Sequence, residues 1–443
     1  MSREPLISCE HCASVFRRHV LQPGETATCS RCGTILWRYS RISLSGWLAL
    51  TVAALIVFVI ANAYPVITMS VQGMVREASL LDAVSMTWQQ GYVATATMTG
   101  LAGFALPLLQ LCLLAWVLWP LAQGREPPGL RPAMRLLGML RPWCMVPVFL
   151  LGVLVSVVKL AGMAAVGPAP GLYAFGALTV LLTMLDRLSP HAVWRYAEQN
   201  GVVPVRVPRL EAGQVLAGCH VCGQVQALAG HEHEHEYGHK HQGGAARCVR
   251  CSAIMHYRKP NSLARTWALL AAAAVLYVPA NVLPIMNINS ILLGDSGHTI
   301  LGGVVELWHT GSWDIALIVF VASIVVPLTK ILALVVLAGA VQSGSRINPR
   351  QRTRLYEMLE FIGQWSMLDV FVVILLSALA HFRGIMEISA GPAAGAFGLV
   401  VILTMLAAMS FDPRMAWDQA AQDIRSGGPA EGGRVASRGQ GAA

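Results

Sequence analysis

Residues 44–65 read LSGWLALTVAALIVFVIANAYP, and residues 263–284 read LARTWALLAAAAVLYVPANVLP. Each is a run of about 20 mostly apolar residues, the length a helix needs to cross the hydrocarbon core of a bilayer. Both close on Ala-Asn-x-x-Pro, at 61–65 and 280–284. Moving outward from this pair, the correspondence continues. Trp88 and Gly91 match Trp308 and Gly311, Pro107 matches Pro327, Trp143 matches Trp365, and LTVLLTML (178–185) matches LVVILTML (399–406). Offsets stay between 219 and 222 residues, so the chain is a tandem duplication.

Further apolar runs complete each copy. The first copy holds 44–65, 92–119, 142–160 and 171–185; the second holds 263–285, 312–341, 361–382 and 391–411. A composition of 55% hydrophobic and 12% charged residues excludes a soluble protein and agrees with eight spans. Pro107 and Pro327 fall inside spans, where membrane helices tolerate proline. Because each copy has an even number of spans, the copies face the same way and make parallel repeats.

Orientation follows from where arginine and lysine fall. Arg17, Arg18, Arg31, Arg38 and Arg41 precede the first span. Residues 120–141, 187–265 and 342–360 are also basic, whereas 66–91, 161–170 and 286–311 carry a single Arg76 among them. Both termini are therefore expected in the cytosol. The 43 residues before the first run are polar and cysteine-bearing, so no signal peptide is expected there. The net charge of +9 lies along one membrane face, which anionic lipid explains without nucleic acid.

Eight of the ten cysteines form CxxC pairs: Cys9 and Cys12 with Cys29 and Cys32, then Cys219 and Cys222 with Cys248 and Cys251. Two such knuckles about 15–20 residues apart are a ribbon-type four-thiolate metal pattern. A tight turn lets both thiolates of a pair reach one ion at about 2.3 Å. Two structural Zn2+ ions are expected, and iron fits the same donors. A reducing cytosol argues against disulfides. All four positions of each site are filled, which suits a metal that folds a small domain rather than an open catalytic centre. The second ribbon carries an insert, HEHEHEYGHKH (231–241), whose literal HExxH follows from low complexity and is not read as a protease site.

Ionisable residues inside spans are costly and are functional candidates by default. The sixth span carries Ser323 and Lys330, seven residues apart and so expected on one face. The seventh carries Ser366 and Asp369, and the eighth carries Thr404. At about 1.5 Å per residue, Lys330, Asp369 and Thr404 fall at a common depth, where a Lys–Asp pair would offset much of the cost of burying either charge. The first copy has Gly103, Gln110, Cys144 and Pro147 at the first four positions and keeps only Thr183. A structural ion pair fixing helix register is the plainer alternative.

Duplicated CxxC…CxxC ribbons before four spans each, the AN-x-x-P ends and the run SMLDVFVV (366–373) resemble the paraquat-inducible protein A / LetA family over about residues 5–420. Pro147 replaces the Asp of that pattern in the first copy, and the His-rich insert is a second departure. The resemblance implies tetraspanin-like packing in each half and location in the inner membrane of a double-membraned bacterium. It also implies an MCE-domain periplasmic partner, phospholipid transport between the two membranes, and a role in transport for Ser323, Lys330, Ser366, Asp369 and Thr404.

The expected organisation is thus a mainly α-helical polytopic membrane protein. It has a first zinc ribbon (1–42), a first four-helix domain (43–190), a linker and second ribbon (191–262), a second four-helix domain (263–412) and a disordered tail (413–443). An alternative function is a metal-binding membrane transporter or sensor, using the thiolates and the histidine-rich loop. No GxxxxGK[ST] phosphate loop and no nucleophile–base set occur, so the chain is not expected to be an enzyme.

Overall fold

The computed structural model describes residues 5–418, apart from 20, 72–73, 145, 162–164, 208–213, 215, 229–245, 291–293, 310, 312, 345–347, 364–370 and 372–385. The first ribbon is two small antiparallel hairpins, β1 (Leu6–Ser8) with β2 (Val15–Arg17) and β3 (Thr26–Thr28) with β4 (Ile35–Arg38). The first membrane half follows as α1 (Leu44–Ala63), β5 (Ile67–Val71), β6 (Met74–Ala78), α2 (Leu80–Gln89), α3 (Val93–Gly100), α4 (Leu106–Ala122), α5 (Leu130–Leu140), α6 (Val146–Ala161), β7 (Ala165–Pro168), α7 (Pro170–Leu185) and α8 (Pro190–Gln199). The second ribbon contributes β8 (Leu216–Gly218) and β9 (Val225–Ala227). The second half repeats the pattern as α9 (Ser262–Val282), β10 (Met286–Ser290), β11 (Gly294–His298), α10 (Ile300–His309), α11 (Trp313–Phe320), α12 (Val326–Gln342), α13 (Pro349–Gly363), β12 (Met386–Ala390) and α14 (Pro392–Ser410).

Among the described residues, six helices are long and apolar enough to span a membrane, and α7 would count as a seventh only if taken together with α8, from which it is bent by 59°. Most of the expected span 361–382 lies outside the described residues. The basic connections are not plain loops. Helix α5 is amphipathic, burying Leu130, Ala133, Met134 and Leu137 while Arg131 faces outward, and α13 stands at the equivalent place in the second half. The opposite end of each bundle carries a three-stranded antiparallel sheet, ordered β6-β5-β7 and β11-β10-β12.

The AN-x-x-P ends have a structural explanation. Asn62 Nδ2 donates to the Phe58 carbonyl and Asn281 Nδ2 to the Tyr277 carbonyl, each at 2.8 Å, so each asparagine folds its side chain back onto its own helix near the helix end. The chain then leaves the helix, and its carbonyls pack against a glycine opening the last helix of the same half. A Cβ on Gly171 would sit 2.5 Å from the Pro65 oxygen, and one on Gly391 only 2.1 Å from the Pro284 oxygen. Backbone hydrogen bonds close the junction, Gly171 N–H to Pro65 at 2.9 Å and Gly391 N–H to Ile285 at 2.7 Å.

Each copy also carries one π turn, Leu101–Ala105 and Val321–Val325, ending just before the helix that contains Pro107 or Pro327. Proline has no N–H for the carbonyl four residues back, which here is Gly103 or Ser323, and a widened turn relieves the resulting clash.

The halves pack against each other through α14. It lies along α9 of its own half and against α3 of the first. Gly395 leaves only 3.7 Å between its Cβ position and Thr95 Oγ1. Phe371 adds an edge-on contact to Phe149 of α6, with ring centroids 5.6 Å apart.

Candidate functional site

Four knuckles of one design build the metal clusters. In each CxxC, the first cysteine's carbonyl accepts from the residue after the second cysteine: Ala13, Gly33, Gly223 or Ser252, at 2.8–3.0 Å. The same cysteine's N–H returns to the carbonyl one residue further on. Closing so tight a turn needs a left-handed residue, and all four have φ between +55° and +88°. Two of them, Ala13 and Ser252, are not glycine, a conformation of appreciable cost for an L-residue.

The turns bring the sulfurs together. Cys9 and Cys32, Cys12 and Cys29, Cys219 and Cys251, and Cys222 and Cys248 each stand 3.5 Å apart, and every sulfur lies within 4.8 Å of the others in its cluster. Four sulfurs at about 2.3 Å from one tetrahedral ion would be about 3.8 Å apart, so both clusters fit a metal. All eight cysteines are buried. The crowded thiols shift one another in opposite directions: hydrogen bonding between neighbours lowers Cys12 and Cys251 but raises Cys9 and Cys222.

Docking of the ribbons crosses over between the copies. Arg31 of the first ribbon donates to the Cys12 carbonyl and stacks on Trp417 of the second half, 4.8 Å from the ring centre. Arg250 of the second ribbon donates to the Cys222 carbonyl and faces Trp194 of the first half at 5.7 Å. The first ribbon adds Thr34 Oγ1 to Glu357 at 2.7 Å, and its Arg31 carbonyl accepts from Arg350 Nε at 2.8 Å. The second adds Arg135 of α5 donating to the Cys251 carbonyl. Residues 412–418 thus form part of this dock, so the disordered tail expected from 413 does not begin there: Trp417 is buried under the first ribbon.

Between the ribbons sits Glu198, its side chain only 2% exposed, accepting from Arg18 at 2.8 Å and from Arg250. One carboxylate of α8 therefore joins both ribbons. Close by, His191 meets Glu10 at 2.8 Å. The Glu10 side chain is more than half exposed, and the partial loss of solvent around its carboxyl is outweighed by the hydrogen bond and charge of His191, which hold it at about 2. Sequence reading took Arg18 only as a topology signal; three residues scattered over 230 positions gave no local sign that they meet.

The intramembrane polar set is placed in part. Ser323, in the π turn, and Lys330, on α12, are each 1% exposed, and neither Ser323 Oγ nor Lys330 Nζ has a hydrogen-bond partner among the described residues. The π turn changes the angular spacing from Ser323 to Lys330, so their shared burial, not a strict seven-residue repeat, keeps both inside. Thr404, also 1% exposed, donates to the Val401 carbonyl at 2.9 Å. Tyr277 OH reaches the Ile324 carbonyl of the π turn at 3.3 Å, a contact the spacing did not suggest. Ser366 and Asp369 lie outside the described residues. In the first copy Gln110 takes the place of Lys330, 3% exposed, while Thr183 is exposed and bonds only to its own helix at Thr179.

This architecture has known counterparts. The family model described as paraquat-inducible protein A matches residues 44–198 and 263–421, one match in each copy. Intermembrane transport protein PqiA of Escherichia coli strain K12 is 33% identical over 431 residues, covering 93% of this chain and 95% of its own. Lipophilic envelope-spanning tunnel protein A of the same strain is 31% identical over 412 residues, covering 93% and 90%. A probable intermembrane transport protein of Haemophilus influenzae is 29% identical over 417 residues, covering 93% and 95%. No solved structure matches the chain at a significant level. With both copies matched and relatives aligned along nearly the whole length, this polytopic membrane chain belongs to the paraquat-inducible protein A family.

Proposed function

We propose that the protein is the inner-membrane component of an intermembrane phospholipid transport system, passing lipid to or from an MCE-domain periplasmic tunnel protein. The observation that carries this reading is Lys330, a buried amine without an acceptor among the described residues, in a chain whose relatives are named for transport between membranes. An ammonium left unpaired in a helical bundle costs several kcal/mol. A chain that buries such an amine has a use for it: the amine can take a lipid phosphate, or exchange a proton with a carboxylate such as that of Asp369, which lies outside the described residues.

On this reading Ser323, Lys330, Ser366, Asp369 and Thr404 form the transport track, and protonation of a Lys330–Asp369 pair accompanies lipid movement. Ribbons and termini face the cytosol, as the arginine pattern requires, and the three-stranded sheets face the periplasmic partner. The two ribbons each hold one structural Zn2+ ion and take no part in chemistry. A membrane pull-down of the tagged chain tests the reading. It should recover an MCE-domain protein together with phospholipid; recovery of neither, from a chain carrying its full metal, would overturn it.

A further inference from the structure

A cavity of about 1100 Å³ opens beside the first ribbon at the end of the first membrane half. Its walls come from β4 and the segment after it, from the entrance to α1, and from the turn between α7 and α8. Apolar helix α1 begins and α7 ends here, which on the span reading puts the mouth at the membrane–water boundary.

Charge in this cavity has one sign. Arg18, Arg38, Arg41, Arg187 and Arg195 line it, and no aspartate or glutamate does. Arg18 is held by Glu198. The side chains of the other four make no hydrogen bond or ion pair among the described residues. Arg195 is partly buried; its burial and the nearby Arg18 push its pKa down further than Tyr196 and Glu198 raise it, so a bound anion would favour its charged form.

The rest of the lining is amphipathic. Trp47, 2% exposed, donates to Tyr196 OH at 3.1 Å, and Tyr196 in turn reaches the Ile42 carbonyl at 3.2 Å, fixing one wall. Trp37 and Tyr39 face the cavity too, and aromatic rings of this kind settle at headgroup level. Around the mouth Ile35, Ile42 and Val205 stay 36–48% exposed. General attraction of basic residues to the anionic leaflet does not explain the arrangement, since arginines that merely obey the topology rule need no pocket, whereas these line one with apolar residues beside them. The volume far exceeds that of a phosphate ion and suits a headgroup with its glycerol and first acyl carbons.

We propose that this cavity binds one anionic phospholipid of the cytosolic leaflet, its phosphate among Arg187, Arg195 and Arg41 and its chains against the Ile42–Val205 rim. It is a holding site in the first half, separate from the polar track of the second. The proposal rests on the reading of the chain as a lipid transporter.

Native mass spectrometry of the delipidated full-length chain, titrated with dioleoyl phosphatidylglycerol, tests it. One molecule should bind tightly, phosphatidylcholine much less, and the double variant Arg187→Gln/Arg195→Gln should bind roughly 30-fold more weakly, the combined effect of two basic contacts near an anionic headgroup. Unchanged metal content shows that the variant is folded. Equal binding by variant and wild type would overturn the site, as would displacement of the lipid by millimolar inorganic phosphate or by a polyglutamate peptide. A Lys330→Met chain should keep the lipid; if it alone loses it, the lipid sits in the track and the cavity proposal fails. Because Lys330 variants are read by transport and the arginine variants by binding, the two readings fail separately.

Discussion

Helices α7 and α14 carry nearly the same sequence around their threonines, yet Thr183 faces outward and Thr404 is buried. The difference is one of surroundings. Helix α7 packs on α1 and leaves its far face open, while α14 is wedged between α9 and α3 of the other half. A different contrast separates Gln110 from Lys330 and Gly103 from Ser323: all four are buried, but the first copy holds an amide and a glycine where the second holds an amine and a hydroxyl. Duplication supplied two bundles of one design, and at this position the second buries an amine where the first buries an amide. A motif repeated in sequence is therefore not a site repeated in space.

The largest effect expected from separating the copies is at the ribbons. Binding of structural zinc is worth roughly 10–16 kcal/mol in small metal-folded domains, so chelation should unfold both ribbons. Because each ribbon docks on the opposite half, Cys12→Ser should loosen α13, and Cys222→Ser should loosen α5. Hydrogen exchange of the two helices reads this directly; protection lost only from the ribbon's own half would break the crossover.

Next comes the charge at the dock. Glu198 and Asp418 both accept from arginine near the ends of their halves, but Glu198 is 2% exposed and Asp418 39%. Removing one member of a buried ion cluster typically costs about 3–5 kcal/mol, against about 0–1 kcal/mol at the surface. Glu198→Gln should thus lower the melting temperature markedly, and Asp418→Asn hardly at all. Smaller again is the pair Gly171→Ala and Gly391→Ala. Both force a Cβ into backbone oxygen, and overpacking of this kind costs about 1–3 kcal/mol. The closer approach at Gly391 predicts the greater loss there, measured by thermal unfolding in detergent. Smallest is Thr404→Val, about 1 kcal/mol for a buried hydrogen bond, with Thr183→Val near zero.

Much of this was legible in the chain. Hydropathy and the arginine alternation give the spans, and CxxC spacing gives both clusters, because these signals are local. AN-x-x-P was readable as a repeat but not as a cause: its partner glycines lie over 100 residues away. Crossover of the ribbons could not be read, since Arg31 and Arg250 occupy the same position in CxxC knuckles of one design and nothing nearby says which tryptophan each will meet. The π turns hide in the prolines, whose missing N–H marks a break without specifying its form. Lys330 could be singled out from its type alone; its burial required the packing of α14 and the rest of the bundle.

Substituting the two equivalent positions separately tests the asymmetry most directly. Lys330→Met and Gln110→Met should be compared for phospholipid transport between the two membranes, each at wild-type abundance and with full metal content. The account predicts that Lys330→Met abolishes transport while Gln110→Met retains most of it. Equal loss in both, or normal transport by Lys330→Met, would contradict it.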